Sequence, residues 1–275
     1  LTGEKMKTDQ INNIAILGAG KIGQAIAKGM KLSGKFSSSQ ITLTRKNITM
    51  LGHMQKDGFN VTNDNLAAIT SSQLIIISVG PQDIVSLLNE IKAKIHHHKH
   101  MVVSTVAGVT IESFQNVLGM DVPIIRSIPN TAVEICESMT CIAGRDDHFE
   151  SINTTKSIFD SLGRTHILKE ELIGPATALC GSGLAFFLRA IRAASHGGIE
   201  IGFHAEDAIL LAAQTARGAA SLTIRSEMHP ESEIDKVTTP KGITISGLNE
   251  MEHQGFSSAI IRAIVRASDK VGNIF

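Results

Sequence analysis

A short β-favouring run, Asn13 to Leu17, passes without a linker into Gly18-Ala19-Gly20-Lys21-Ile22-Gly23. That leads into Gln24 to Leu32, whose apolar residues recur at helical spacing. Few local patterns restrict a fold more. The first glycine makes a tight turn, the second lets a pyrophosphate reach the backbone, and the third lets the helix sit close on the strand. The fingerprint alone is weak. With these flanks it predicts a dinucleotide site at Gly18, Ala19, Gly20, Lys21, Ile22 and Gly23. The next apolar run, Ile41 to Thr44, ends in Arg45-Lys46-Asn47. A site built for NAD carries Asp or Glu near this point, to accept from the ribose 2′-hydroxyl. Two cations stand here instead and suit a 2′-phosphate. The expected cofactor is therefore NADPH, with NADH a weaker ligand. The competing reading of Arg45 and Lys46 is a solvated basic turn.

The alternation continues. Phe59 to Val61, Leu74 to Val79, Met101 to Ser104, Pro123 to Ile125, Met139 to Ile142 and Thr165 to Leu168 read as strands. Gln82 to Ile95, Thr110 to Val117 and Glu150 to Leu162 read as helices among them. This alternation predicts an α/β fold with a Rossmann-type doubly wound parallel sheet. Ligands in such sheets sit outside the carboxyl ends of the strands. Val79 to Pro81, Val106 to Gly108 and Ser127 to Thr131 fall at such ends. Beyond Leu168 the β signals stop. The expected organisation is a tail over 1–12, a nucleotide-binding domain over 13–168 and an all-helical domain over 169–275.

The helical part contains two glycine-bearing stretches, Thr177 to Phe187 and Thr238 to Thr244, each placed before a helix-period segment. Read as breaks, they would leave free amides at a helix start, where a small anion binds. The alternative is that Gly181 and Gly183 only let two helices pack closely. Small residues recur at Ala205, Ala208, Ala212, Ala213, Ala216, Ala219 and Ala220, at spacings that also permit close helix packing. Ser257 reads as the cap of a last helix, with Ile260, Ile261, Ile264 and Val265 on one face. Alanine-rich helices make a thin core, so this part is expected to dimerise.

Charge and cysteine usage narrow the function. Lys+Arg and Asp+Glu balance at 26 each over 275 residues, which gives no bulk electrostatic reason to bind nucleic acid or a membrane surface. The longest apolar runs, such as Leu74 to Ile77, are too short to span a bilayer. Cys136, Cys141 and Cys180 form no Cys-x-x-Cys motif, and an odd count fits a reducing compartment. Leu1 to Asn12 lacks the apolar core of a signal peptide, Met6 reads as a candidate start, and a cytoplasmic location is expected. His96-His97-His98 with His100 reads as an exposed connection. Consecutive histidines share no face and no Cys or carboxylate falls at ligand spacing, so no metal is expected.

Several motifs taken together resemble the pyrroline-5-carboxylate reductase family. They are Cys180-Gly181-Ser182-Gly183-Leu184-Ala185-Phe186, Ala213-Gln214-Thr215, Ser226-Glu227-Met228-His229-Pro230, and Val237 to Leu248, with Arg126 to Thr131 resembling that family's Arg-x-Met-Pro-Asn-Thr. The resemblance implies an NADP-binding domain followed by a helical dimerisation domain, with dimers that usually assemble into decamers. It also places the pyrophosphate at Gly18 to Gly23, the 2′-phosphate at Arg45 and Lys46, and the adenosine near Asn65. Val79, Gly80, Pro81 and Ala107 would line the cofactor. Glu170, Thr239, Ile243 and Thr244 match the substrate pocket, and Glu227 lies in a motif close to it. Some positions depart from the pattern. Gly80 stands for a lysine, Leu184 and Ala132 for prolines, and Ser138 for a glycine. The family's Ser-Pro-Gly-Gly-Thr-Thr loop reads Thr239-Pro240-Lys241-Gly242-Ile243-Thr244.

The reaction so implied reduces the cyclic imine 1-pyrroline-5-carboxylate to L-proline, with hydride supplied by the nicotinamide. A protonated imine accepts hydride readily, so a strong general acid is unnecessary. Thr244 is the candidate catalytic residue: its hydroxyl would orient the ring nitrogen or pass a proton. Amides of Gly242 to Thr244 would hold the carboxylate. Glu170 and Glu227 would favour the cation, although each also reads as a surface carboxylate. Competing readings are another imine reductase, an NADP-dependent β-hydroxyacid dehydrogenase, and a catalytically silent NADP-binding regulator. The dehydrogenase needs a lysine soon after its glycine motif, and Leu184 to Ser195 offers Arg189 and Arg192 instead.

Overall fold

A computed structural model describes residues 11–226 and 228–272. Glu227 and the segment holding Met6 lie outside the described residues. The first strands and helices alternate: β1 (Ile14–Leu17), α1 (Lys21–Leu32), β2 (Ile41–Thr44), α2 (Gly52–Lys56), β3 (Asn60–Thr62), α3 (Asn65–Thr70), β4 (Leu74–Ile77), α4 (Ile84–Ile91), β5 (Met101–Ser104), α5 (Ile111–Leu118) and β6 (Ile124–Ile128). Then come β7 (Ser138–Gly144), α6 (Phe149–Asp160) and β8 (Gly163–Ile167). The eight strands form one sheet in the order β3-β2-β1-β4-β5-β6-β7-β8. The first six are parallel, in the strand order of a dinucleotide-binding sheet.

The direction of β7 corrects the expectation of a wholly parallel sheet. It runs antiparallel to β6, and β8 is parallel to β7. The cause is the connection. Only residues 129–137 separate β6 from β7, and they hold a single 3-10 turn, Thr131–Ile135. A parallel return needs a crossover of a dozen residues or more.

Both faces of the central strands are covered, which is why those strands are continuous apolar runs. Side chains alternate across the sheet. Ile14, Ile16, Leu74, Ile76, Met101 and Val103 enter one apolar layer with α1, α2 and α6. Ala15, Leu17, Ile75, Ile77 and Val102 enter the other, with α3, α4 and α5. Ile11 joins the first layer, and the Asn12 and Asn13 amides both donate to Gln73 Oε1. His100 departs from the exposed connection expected for the histidine cluster: it is buried, and its Nδ1 accepts the His96 amide at 3.0 Å.

Beyond β8 the described chain is helical: α7 (Ile173–Ala176), a π-helical segment Thr177–Ser182, α8 (Gly183–Glu200), α9 (Ala205–Ser226), α10 (Pro230–Lys236), α11 (Ile243–His253) and α12 (Phe256–Gly272). The chain divides into two compact units. One holds the described residues up to Gly181 and from Ser268 on; the other is Ser182–Ala267. Three local expectations are corrected. Thr177 to Phe187 is no break; it stays helical through a π-turn, so Gly181 and Gly183 expose no helix start. Ser257 sits inside the first turn of α12 rather than before it. The stretch Glu170–Glu200 is long and apolar enough to cross a bilayer by length and composition, with mean hydropathy 1.4. No contiguous apolar run announces it, because its apolar residues are interleaved with Gly, Ala and Ser.

Candidate functional site

The sheet order reverses between β1 and β4, and a cleft of about 390 Å³ opens at the carboxyl ends of these strands. Its floor is the glycine turn. Gly18 has φ +83, and a Cβ there would meet Val79 Cγ1 at 2.4 Å, so only glycine makes this turn beside β4. A Cβ on Gly20 would meet nothing nearer than Gly18 O at 3.9 Å. That open space above the backbone is the room a pyrophosphate needs. A Cβ on Gly23 would press on Ile16 at 3.1 Å and Gly18 O at 3.3 Å, so this glycine sets how closely α1 sits on β1. No side chain caps α1 at Gly20. Its first amides and its dipole therefore face the cleft, a combination suited to an anion. The three glycines have the three roles that a bound dinucleotide requires.

The cation-rich end of β2 forms the cleft's outer wall. Arg45, Lys46, Asn47, Met50, Asn65 and Glu90 line it. Arg45 Nη1 donates to Ala19 O at 3.1 Å, which lays the guanidinium across the glycine turn. Lys46 is nearly fully exposed and its Nζ lies 3.0 Å from Asp83 Oδ1. An exposed pair of this kind is worth at most about 1 kcal/mol, so a phosphate can draw the lysine away cheaply. Asn65 Oδ1 accepts the Thr44 hydroxyl at 2.6 Å, and its Nδ2 reaches both oxygens of Glu90 at 3.1 and 3.2 Å. Asp83 and Glu90 escaped the sequence reading. Their spacing of seven residues, two helical turns, was the available signal.

The remaining expected residues divide. Val79 and Gly80 line the cleft beside β4. Pro81 opens a 3-10 turn just beyond, Pro81–Asp83, and Ala107 follows β5. Ala19 is buried and its amide donates to Thr44 O at 2.8 Å, which fixes the turn against β2. Glu170 Oε1 accepts from the Ile111 amide at 2.7 Å and from Arg126 Nη1 at 3.1 Å. It thus joins the start of α5 to a buried arginine on β6.

In the helical unit, Thr239-Pro240-Lys241-Gly242 forms a tight turn in which the Gly242 amide donates to Thr239 O at 2.9 Å. Lys241 has φ +60 at the position where such turns favour glycine. Gly242 then starts α11 without any side-chain cap, and Thr244 is its second residue. Ile243 beside it is 93% exposed, and Thr244 is half-buried.

Comparison with known proteins agrees with this geometry. The family model described as pyrroline-5-carboxylate reductase dimerisation matches residues 170–274. The one described as NADP oxidoreductase coenzyme F420-dependent matches residues 13–108. Pyrroline-5-carboxylate reductase 1 of Dictyostelium discoideum is 49% identical over 96% of this chain, which spans 50% of that protein's length. Reductase 2 of the same organism is 46% identical over 94% of this chain and 91% of its own. A crystal structure of Plasmodium falciparum pyrroline carboxylate reductase with NADP bound has a TM-score of 0.83 at 23% identity, covering 94% of this chain and 97% of that one. This chain belongs to the pyrroline-5-carboxylate reductase family.

Proposed function

We propose that this protein reduces 1-pyrroline-5-carboxylate to L-proline with NADPH, as a homodimer in the cytoplasm, five dimers forming a decamer. The observation that carries this reading is the glycine cradle at the β1–β4 reversal, open at Gly20 and overlooked by Arg45. Bound there, NADPH supplies the hydride. The chain's residues do the rest. The amides at the start of α1 hold the pyrophosphate, and Arg45 and Lys46 hold the 2′-phosphate. Asn65, oriented by Glu90, borders the adenosine. The uncapped amides of Ile243 and Thr244 at the start of α11 bind the substrate carboxylate. The Thr244 hydroxyl orients the ring nitrogen, and Glu227 favours its protonated form. Thr239 shapes the turn that presents these amides. The functional division falls at 168/169, with the helical part supplying the dimer face. Charged Arg189 and Arg192 within the apolar stretch Glu170–Glu200 favour a protein partner over lipid for that face.

The test follows NADPH oxidation by loss of nicotinamide absorbance. Turnover with pyrroline-5-carboxylate is expected, and Thr244→Ala should lower kcat/KM by roughly 10- to 1000-fold. Turnover of β-hydroxyacids with NADP and none of the imine would overturn the substrate. Unchanged kinetics in Thr244→Ala would remove that residue from the mechanism.

A further inference from the structure

Two thiols from distant parts of the chain meet beside the sheet. Cys141 lies on β7 and is buried; Cys180 lies on the π-helical segment Thr177–Ser182 and is half-buried. Their sulfurs are 3.8 Å apart. Both pack in one small apolar cluster with Ile128, Ala143, Ile173 and Ala176. Asn130 Nδ2 donates to Cys180 O at 3.0 Å, which fixes the backbone that carries the thiol. A disulfide bond is about 2.05 Å long. A side-chain rotation at Cys180 with a small shift of its turn would close the remaining gap.

The same contact makes the two sulfurs unlike. Hydrogen bonding with the Cys141 thiol lowers Cys180, against the opposing effect of burial. The contact with Cys180, and then burial, push Cys141 up. Cys180, the less buried of the two residues, is the one whose ionisation the contact favours, as a reactive thiol requires. Cys136 offers the contrast. Its Sγ faces Gly29 O at 3.6 Å, and burial, then the charge of Glu137, raise it.

We propose that Cys141 and Cys180 form a redox modification site, which a peroxide converts to an intramolecular disulfide joining β7 to the π-helical segment. The Cys180 thiolate attacks a peroxide oxygen. The O–O bond breaks, the departing hydroxide takes a proton to become water, and Cys180 is left as a sulfenic acid. The Cys141 sulfur then attacks the Cys180 sulfur. Its own proton joins the departing hydroxide, and a second water leaves. Two thiols have lost two electrons and two protons, and one peroxide has become two waters. A dithiol reductant restores both thiols by exchange and is itself oxidised to its disulfide.

The test treats the full chain with stoichiometric hydrogen peroxide. The expected product has lost the mass of two hydrogen atoms, its peptide map links Cys141 to Cys180, and dithiothreitol restores the starting mass. Cys141→Ser should stop the reaction at a Cys180 sulfenic acid that dimedone traps. Cys136→Ser should leave the disulfide unchanged. Cys180 should react about tenfold or more faster than Cys136. Oxygen accumulating on Cys180 of the unaltered chain, a link between two chains, or a link through Cys136 would each overturn the proposal. If Cys141→Ser does not fold, the peptide map of the unaltered chain decides the matter alone.

Discussion

Every residue of β1, β4 and β5 is buried, and their side chains fill two apolar layers supplied by this chain alone. In the helical unit, α8 buries only Gly183 and Ser195, α9 only Ala208, and α11 nothing. Phe187, Leu210, Ile261 and Val265 are all more than half exposed there. The two units therefore reach stability by different routes. Fully burying one large apolar side chain is worth about 1.5 to 3 kcal/mol, and the helical unit leaves many such contributions unmade within one chain. The sheet unit holds its own core. The helical unit presents exposed apolar side chains, and it lies within residues 170–274, which match the family model for dimerisation.

A charge placed on each unit tests that contrast most severely. Leu210→Glu on α9 should leave a monomer by light scattering and cost about 100-fold or more in activity, because a carboxylate buried without a partner is expensive. Leu32→Glu on α1, at similar exposure in the sheet unit, should change neither. A Leu210→Glu protein that remained dimeric with unaltered kinetics would show that α9 faces solvent.

How much of this was legible follows the same division. The bounds of β2 (Ile-Thr-Leu-Thr) and β5 (Met-Val-Val-Ser) could be read directly, since each is a short β-favouring run set off by polar flanks. The glycine turn was legible because each glycine has a separate steric reason. The reversal of β7 was not, because strand direction is a property of the whole sheet and only the short 129–137 connection hints at it. The π-turn at Thr177–Ser182 was misread because Gly-Ser-Gly resembles a break, whereas the helical register through Cys180 is set by contacts with β7 and Asn130. In the candidate site, Arg45 was visible as a cation where an acid was expected. Glu90 was not, since its meaning depends on Asn65 facing it across the cleft.

A second test asks whether the sheet unit alone determines cofactor choice. Arg45→Ala combined with Lys46→Ala should weaken NADPH binding about 100-fold, the loss of two charged contacts to one phosphate, and weaken NADH by much less. Titration of intrinsic nicotinamide fluorescence measures both. Equal losses for the two cofactors would return Arg45 and Lys46 to the status of a solvated turn and would move the choice elsewhere.

The smallest effect lies deepest in the sheet unit. Burial, and then the nearby charge of Lys99, lower His100 from 6.5 to about 4, with the Ile69 carbonyl acting in the opposite sense and His96 adding to the lowering. The unfolded chain takes up a proton near 6.5, whereas the native imidazole refuses it until about 4. Stability from this residue is therefore complete above 6.5 and drains away as the pH falls toward 4. At about pH 5.5 the loss is about 1.4 kcal/mol, one tenfold step in the folding constant. His100→Asn keeps an acceptor for the His96 amide and has no proton to gain. Denaturant unfolding of the two proteins should give curves that converge as the pH is lowered from 7 toward 5.5, the variant losing less. Parallel curves over that range would mean that His100 takes up its proton in the native sheet as readily as in the unfolded chain, and that burial does not lower it.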